Sequence, residues 1–246
     1  MTKGAKLSVL LISLTILFMA ALMSGIIKSS HWKIDNISLF AEFKRVNSEQ
    51  VRIIVASQNE RSFFKVNPNK IREELTNIPW VQHVTVNKKW PNSLIIKLIE
   101  HKAVATWNQD KLLNEYGEVF KVDRIDDLNS LPKIHGNDND SKLIWDKYTR
   151  FNEIVKNIGH DISTSNISNR GGWKLSLSNG IEINLGSQQI DAKLVRLTDT
   201  WSKLLQLKEQ LPIYIDLRYT NGYVVKWPQT EETGTEELTE DSTANG

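Results

Sequence analysis

Between Lys6 and Lys28 the chain runs for 21 residues, Leu7–Ile27, without a single charge. Its only polar side chains are Ser8, Ser13, Thr15 and Ser24. As a helix the run reaches about 31 Å, close to the ~30 Å hydrocarbon core of a bilayer. Only a helix satisfies its own backbone there. A cleaved signal peptide has a shorter apolar region and a small-x-small cleavage site, and Ala21-Leu22-Met23 is a poor one. A core helix of a soluble domain is apolar on one stripe, whereas this segment is apolar all round. The expectation is a retained transmembrane anchor over residues 7–27 with a short tail, residues 1–6. Lys3 and Lys6 on one flank and Lys28, Lys33, Lys44 and Arg45 on the other leave its direction open.

The remaining ~200 residues suffice for two small domains. The formal net charge of +2 implies neither nucleic acid nor an acidic substrate. The absence of cysteine excludes a disulfide framework and a thiolate metal site. Ile34–Phe40 reads as a strand. A helix capped at Asn47-Ser48 runs to about Ser57, and a second starts near Pro68 and ends near Asn77. Trp80–Trp90 and Ser93–Glu100 read as a hairpin about Trp90-Pro91-Asn92. The second region opens with strands at Val104–Trp107, Lys111–Asn114, Val119–Val122 and Leu131–His135. A helix follows from Asp140 or Ser141 to about Asn157, with Leu143, Ile144, Tyr148, Phe151 and Val155 on one face. Strands at Ile162–Ile167, Trp173–Leu177 and Ile181–Leu185 alternate around Gly171-Gly172 and the hairpin signal Asn179-Gly180. Gln188–Leu207 is an amphipathic helix, and Ile213–Arg218 and Gly222–Trp227 are the last strands. Residues 229–246 carry six acidic residues, no basic ones and one large apolar residue, too little to order the segment by burial.

No catalytic set is legible. The five histidines, His31, His83, His101, His135 and His160, form no i, i+4 pair, and no nucleophile or phosphate-binding motif occurs. Neither cofactor nor metal is expected, nor an enzyme. Of the eight tryptophans, Trp32 suits a membrane interface. Trp80, Trp90, Trp107, Trp145, Trp173 and Trp201 read as core. Trp227 closes the last strand, where a sheet edge accepts another chain's strand.

The strand-helix-helix-strand-strand order, with Ile78-Pro79-Trp80-Val81, Lys89-Trp90-Pro91, Leu94-Ile95-Ile96 and Glu100, resembles the POTRA domain of the bacterial cell-division family FtsQ/DivIB. His101-Lys102-Ala103-Val104-Ala105-Thr106-Trp107, Leu131-Pro132 with Gly136, Leu185-Gly186 and the string Asp216-Leu217-Arg218-Tyr219-Thr220-Asn221-Gly222 through Trp227 are similar to the β domain of that family. The resemblance implies an α+β fold: one transmembrane helix, a POTRA domain over residues 32–102, and a mixed, mainly antiparallel β domain over residues 103–228 with an exposed C-terminal edge strand, then a disordered acidic tail over residues 229–246. It also implies a non-enzymatic scaffold of the inner membrane, N-terminus cytoplasmic and bulk periplasmic, at the division septum. Its partners would be the FtsB–FtsL pair and other divisome proteins. On the last strand the FtsB contact would fall on Tyr219, Asn221, Gly222, Tyr223, Val225 and Trp227, by strand addition, with Lys193 and Arg196 pairing acidic residues of FtsB. A recruitment surface would lie on Val81, Val84, Lys88, Lys89 and Trp90. A weak homodimer is left open. A membrane-anchored cell-wall enzyme and a POTRA-bearing secretion receptor are the alternatives; the first lacks a legible catalytic cleft, the second its long β-barrel.

Overall fold

The computed structural model describes residues 3–28, 33–58, 62–123, 128 and 130–229. Trp32 and the acidic residues 230–246 fall outside them. The first helix, α1, spans Lys3–Lys28. The Ser13 and Thr15 hydroxyls each donate to a carbonyl one turn back, Leu10 and Ile12, at 2.8 Å, so the polar groups are satisfied inside the helix. Side chains are described over Ser8–Met23, all exposed. That stretch reaches only about 24 Å, and among the described residues no helix is long and apolar enough to cross a membrane.

The chain divides into two compact units. Unit 1 is Met1–Ala103 with Phe120–Ile125, and unit 2 is Val104–Val119 with Asp126–Gly246. In unit 1, β1 (Asn36–Phe40), α2 (Ser48–Ala56), α3 (Pro68–Thr76), β2 (Val81–Lys89) and β3 (Ser93–Glu100) follow in order. The three strands form one sheet, β1-β3-β2, with β1 parallel and β2 antiparallel to β3. Asn47 and Asn67 begin the helices, each accepting an N–H two residues on, Glu49 at 2.8 Å and Asn69 at 3.0 Å. Val51 and Val55 of α2 and Ile71 and Leu75 of α3 meet Val81, Val84, Leu94, Ile96 and Leu98 in the core. The Glu100 carboxylate accepts the N–H groups of Lys44, Arg45 and Val46 at 2.9–3.2 Å, which fastens the loop before α2 to the end of β3. The glutamate closing the POTRA-like string is therefore a structural residue.

Unit 2 is built on a nine-stranded sheet. The strands are β4 (Ala103–Trp107), β5 (Lys111–Asn114), β6 (Val119–Phe120), β7 (Lys133–His135), β8 (Ile162–Ile167), β9 (Trp173–Leu177), β10 (Glu182–Gly186), β11 (Tyr214–Asp216) and β12 (Val224–Lys226). Their order is β12-β11-β10-β9-β8-β7-β4-β5-β6. Pairing is mixed: β7 is parallel to both β4 and β8, and β10 to β11, while β8–β9, β9–β10 and β11–β12 are antiparallel. Helices α4 (Ser141–Lys156) and α5 (Ile190–Leu205) cover the apolar face. Ile144, Tyr148, Phe151 and Val155 of α4 and Leu194, Leu197, Trp201 and Leu204 of α5 pack with Trp107, Trp173, Leu175, Ile183 and Ile215. Leu143, expected inward, is 58% exposed. Gly136 is required where β7 ends. A Cβ there would lie 2.5 Å from Ile144 Cδ1 and 2.9 Å from Ile167 Cγ2.

Candidate partner-binding edge

The sheet of unit 2 ends at β12, a strand of three residues. It pairs with β11 through Tyr214↔Lys226, Ile215↔Val225 and Asp216↔Val224. The Lys226 carbonyl accepts from Ile213 N–H, whereas Leu217 N–H donates to Asn184 on the other side, in β10. Main-chain direction alternates along a strand. Ile215 therefore faces β10, Val224 and Lys226 face β11, and the N–H and C=O of Val225 point away from the sheet.

Side chains alternate too. Tyr223, Val225 and Trp227 turn toward the core and are half-buried against it. The Tyr223 hydroxyl lies 2.7 Å from Thr200 Oγ1 on α5, and the Lys208 ammonium stands over the Trp227 ring at 5.7 Å. Val224, 54% exposed, and Lys226 point to the helix-free face. Of the residues assigned to the partner from sequence, Tyr223, Val225 and Trp227 thus pack their side chains largely inward. Tyr219 is 55% exposed, Asn221 is exposed and Gly222 half-buried in the turn before β12.

The two α5 cations act on the chain itself. Lys193 is only 6% exposed, and its ammonium donates to the carbonyls of Arg218 at 3.2 Å and Leu185 at 3.5 Å. As a surface cation for an acidic partner it is a correction: burial on the inner face of α5 removes it from reach. Arg196 donates to the carbonyls of Thr220 (2.6 Å), Gly222 (3.2 Å) and Tyr219 (3.3 Å). It latches the whole turn onto α5 and so sets where β12 begins.

A basic cleft on the helix-free face was not foreseen. It has a volume of about 330 Å³ and is lined by Arg170, Lys174 and Arg218 among Asn166, Asn184 and Ser187. Arg218 is held in place by Asp216. Its Nε lies 3.0 Å from each carboxylate oxygen and its Nη2 2.7 Å from Oδ2, while its N–H donates to Oδ1. These Arg218 hydrogen bonds hold the Asp216 carboxyl below the usual carboxylate range, against burial that pushes it up. Gly186, at φ +72°, lets β10 turn close under Arg218, whose Cγ would lie 3.2 Å from a Cβ there. The three cations come from residues 170, 174 and 218, and only sheet pairing gathers them. The alternation Lys174–Ser176 and Glu182–Asn184 on the polar face was the legible signal.

In unit 1, Val81 and Val84 are 3% and 2% exposed, interior residues of β2 that pack in the core of that unit. That corrects their place in a recruitment surface. Lys88, Lys89 and Trp90 are accessible at the end of the hairpin, and Trp90, expected in the core, is 68% exposed.

A cleft of about 750 Å³ between α4 and β7–β8 has several of its polar groups engaged structurally. Tyr148 donates to the Ile162 carbonyl at 2.9 Å, Asn152 bonds Ile162 N–H and Asp161, and Ser163 donates to carbonyls of β9. Burial and the nearby Asp161 push the Tyr148 phenol up to about 12. Among the described residues no group of three His, Cys, Asp or Glu is placed to hold a metal.

A POTRA-type unit followed by a mixed sheet with an open C-terminal edge defines the class: division proteins of the FtsQ/DivIB type. Residues 33–101 match the model of the POTRA domain, FtsQ-type, and residues 105–218 match that of cell division protein FtsQ/DivIB, C-terminal. The chain is 30% identical over 216 residues to the cell division protein FtsQ of Xanthomonas campestris, covering 87% of this chain and 77% of that one. It is 25% identical over 217 residues to the FtsQ of Coxiella burnetii, 87% and 89% of the two chains. The FtsQ of Cellvibrio japonicus is 28% identical over 192 residues, which span 78% of this chain and 60% of that one. The chain belongs to the FtsQ family of cell division proteins.

Proposed function

We propose that this chain is a non-catalytic scaffold of the divisome, anchored in the inner membrane by Leu7–Ile27. Its two units stand in the periplasm, and the β12 edge receives a strand of FtsB from the FtsB–FtsL pair. The apolar run from sequence and the internally bonded Ser13 and Thr15 hydroxyls support the anchor. The observation that carries the partner reading is the main chain of Val225, which points out of the nine-stranded sheet at its edge. Strand addition draws affinity from such main-chain groups, and specificity from side chains beside them. The incoming strand would meet Tyr219, Val224 and Lys226. Acidic residues of the partner would meet Arg170, Lys174 and Arg218 on the same face. Trp227, Tyr223 and Val225 would support the edge from beneath, Arg196 would hold Asn221 and Gly222 in register through the turn, and Lys193 would brace the strand ends from inside.

Val225→Pro tests this. It removes an N–H that β11 does not use, and proline is tolerated at an edge facing outward. Thermal unfolding of the variant is expected to stay a single cooperative transition, lowered only by the packing that the half-buried Val225 side chain gives up. Affinity for the FtsB–FtsL complex is expected to fall by about tenfold or more, roughly 1.4 kcal/mol. Unchanged affinity in a calorimetric titration would place the partner elsewhere. Arg170→Glu with Lys174→Glu supplies a second reading at surface positions that leave the sheet intact.

A further inference from the structure

The outward turn of Trp90 is not used by the β12 edge. Three contacts fix where it lies. Asn92, in the β2–β3 turn, accepts the N–H groups of Asp35 and Asn36 at 3.1 and 3.4 Å. Lys33 forms a β-bridge with Ser62. The Lys88 ammonium stands over the Phe63 ring at 5.6 Å. The hairpin tip, the loop around Phe64 and the residues entering β1 therefore share one end of unit 1. That end is where the chain arrives from α1. Lys28 closes α1, and Asp35 follows within about 25 Å of fully extended chain.

The chemistry of this end is that of a membrane interface. Trp90 is 68% and Phe64 46% exposed, and Lys33, Lys65 and Lys89 are exposed around them. Desolvation lowers Lys88 below the ordinary lysine value. Among the described residues Asp35 is an acidic side chain beside them, and its carboxylate accepts from Asn92 Nδ2 at 3.4 Å. Residues 33–102 hold twelve Lys and Arg against seven Asp and Glu, whereas residues 103–228 hold sixteen of each. The positive excess thus sits in the region next to the anchor. Tryptophan favours the headgroup level of a bilayer, and clustered lysines favour anionic lipid.

We propose that the α1-proximal end of unit 1 docks on the anionic phospholipid surface, with Trp90 and Phe64 in the headgroup layer and Lys33, Lys65, Lys88 and Lys89 on lipid phosphates. This rests on α1 being the membrane anchor. It gives the POTRA unit a fixed stance on the bilayer in place of a free tether.

The test uses the full chain, which has no cysteine of its own, reconstituted in nanodiscs. An environment-sensitive fluorophore is placed at Asn87→Cys, beside the tip, or at Asn77→Cys, at the opposite end of the sheet. Nitroxide-labelled lipid is expected to quench the first about threefold more than the second in phosphatidylethanolamine–phosphatidylglycerol discs. The difference is expected to shrink in phosphatidylcholine discs, in high salt, and in the exposed-site variants Trp90→Ser and Phe64→Ser. Resistance of the chain to carbonate extraction from vesicles reports the anchor separately. Extraction would defeat the anchor reading. A chain that resists extraction yet is quenched equally at both positions overturns the lipid contact alone. So does Trp90→Ser that abolishes septal localisation while leaving the quenching unchanged, because the tip is then a protein contact.

Discussion

Trp90 and Trp227 each stand just past the end of a strand, each on the parity that carries the core side chains. Trp90 continues the series Val84, Val86 and Lys88, and Trp227 continues Tyr223 and Val225. Yet Trp90 is mostly exposed and Trp227 is packed against the core under Lys208. The difference lies in what covers the sheet. In unit 1 Val86 is the last β2 side chain packed against the buried cluster, so the strand outruns its covering layer. In unit 2 the chain after α5 extends as far as β12. Parity decides which face a side chain takes. Only the second layer decides whether that face is dry.

The largest effect that would break this comparison is on stability. Trp227→Ala is expected to lower unfolding free energy by about 2 kcal/mol, short of the ~3–5 of a fully buried tryptophan. Trp90→Ala is expected to cost less than about 0.5 kcal/mol. Chemical denaturation of the two variants measures both, and equal losses would erase the distinction. Next in size is Arg196→Ala. It frees three turn carbonyls from α5 and is expected to cost about 1–2 kcal/mol. Amide exchange should rise over residues 219–222 and partner affinity should fall with it. Protection unchanged there would show that the turn holds itself. The smallest effect is a pH dependence away from both tryptophans. Tyr148 titrates near 12 in the folded chain, above its ordinary value of 10.0. The unfolded state therefore loses that proton first, and stability falls as pH rises between those values. Tyr148→Phe should flatten that part of the melting-temperature profile, and an unaltered slope would assign it to other groups.

Much of the fold was legible because its signals are local. Asn47 and Asn67 cap helices, Pro68 opens one, and Asn179-Gly180 closes a hairpin, each within a few residues of the structure it dictates. The predicted strands ran a residue or more too long at Ile34–Phe40, Ile213–Arg218 and Gly222–Trp227, because apolar character extends past the last paired residue. The candidate edge was legible as a position, the last strand, and not as a surface. Lys193 and Arg196 look alike on a helical wheel of charges. One is buried beneath main-chain carbonyls and the other grips a turn, since the turn carbonyls they bind lie 23–26 residues away in the chain.

By itself the sequence determined the order of elements, the uncharged run within the first helix, the division into a small and a larger folded region, and membership of a family through strings that run without a gap. Each of these depends on neighbours in the chain, so spacing and composition suffice. The tertiary structure alone decided that the main chain of Val225 turns outward from the β12 edge, that Val81 and Val84 are interior, that Arg170, Lys174 and Arg218 form one cleft, and that Trp90 is mostly exposed. Strand order, register and the reach of the helical layer settle these, and they arise from pairings between residues far apart in sequence, which no local pattern records.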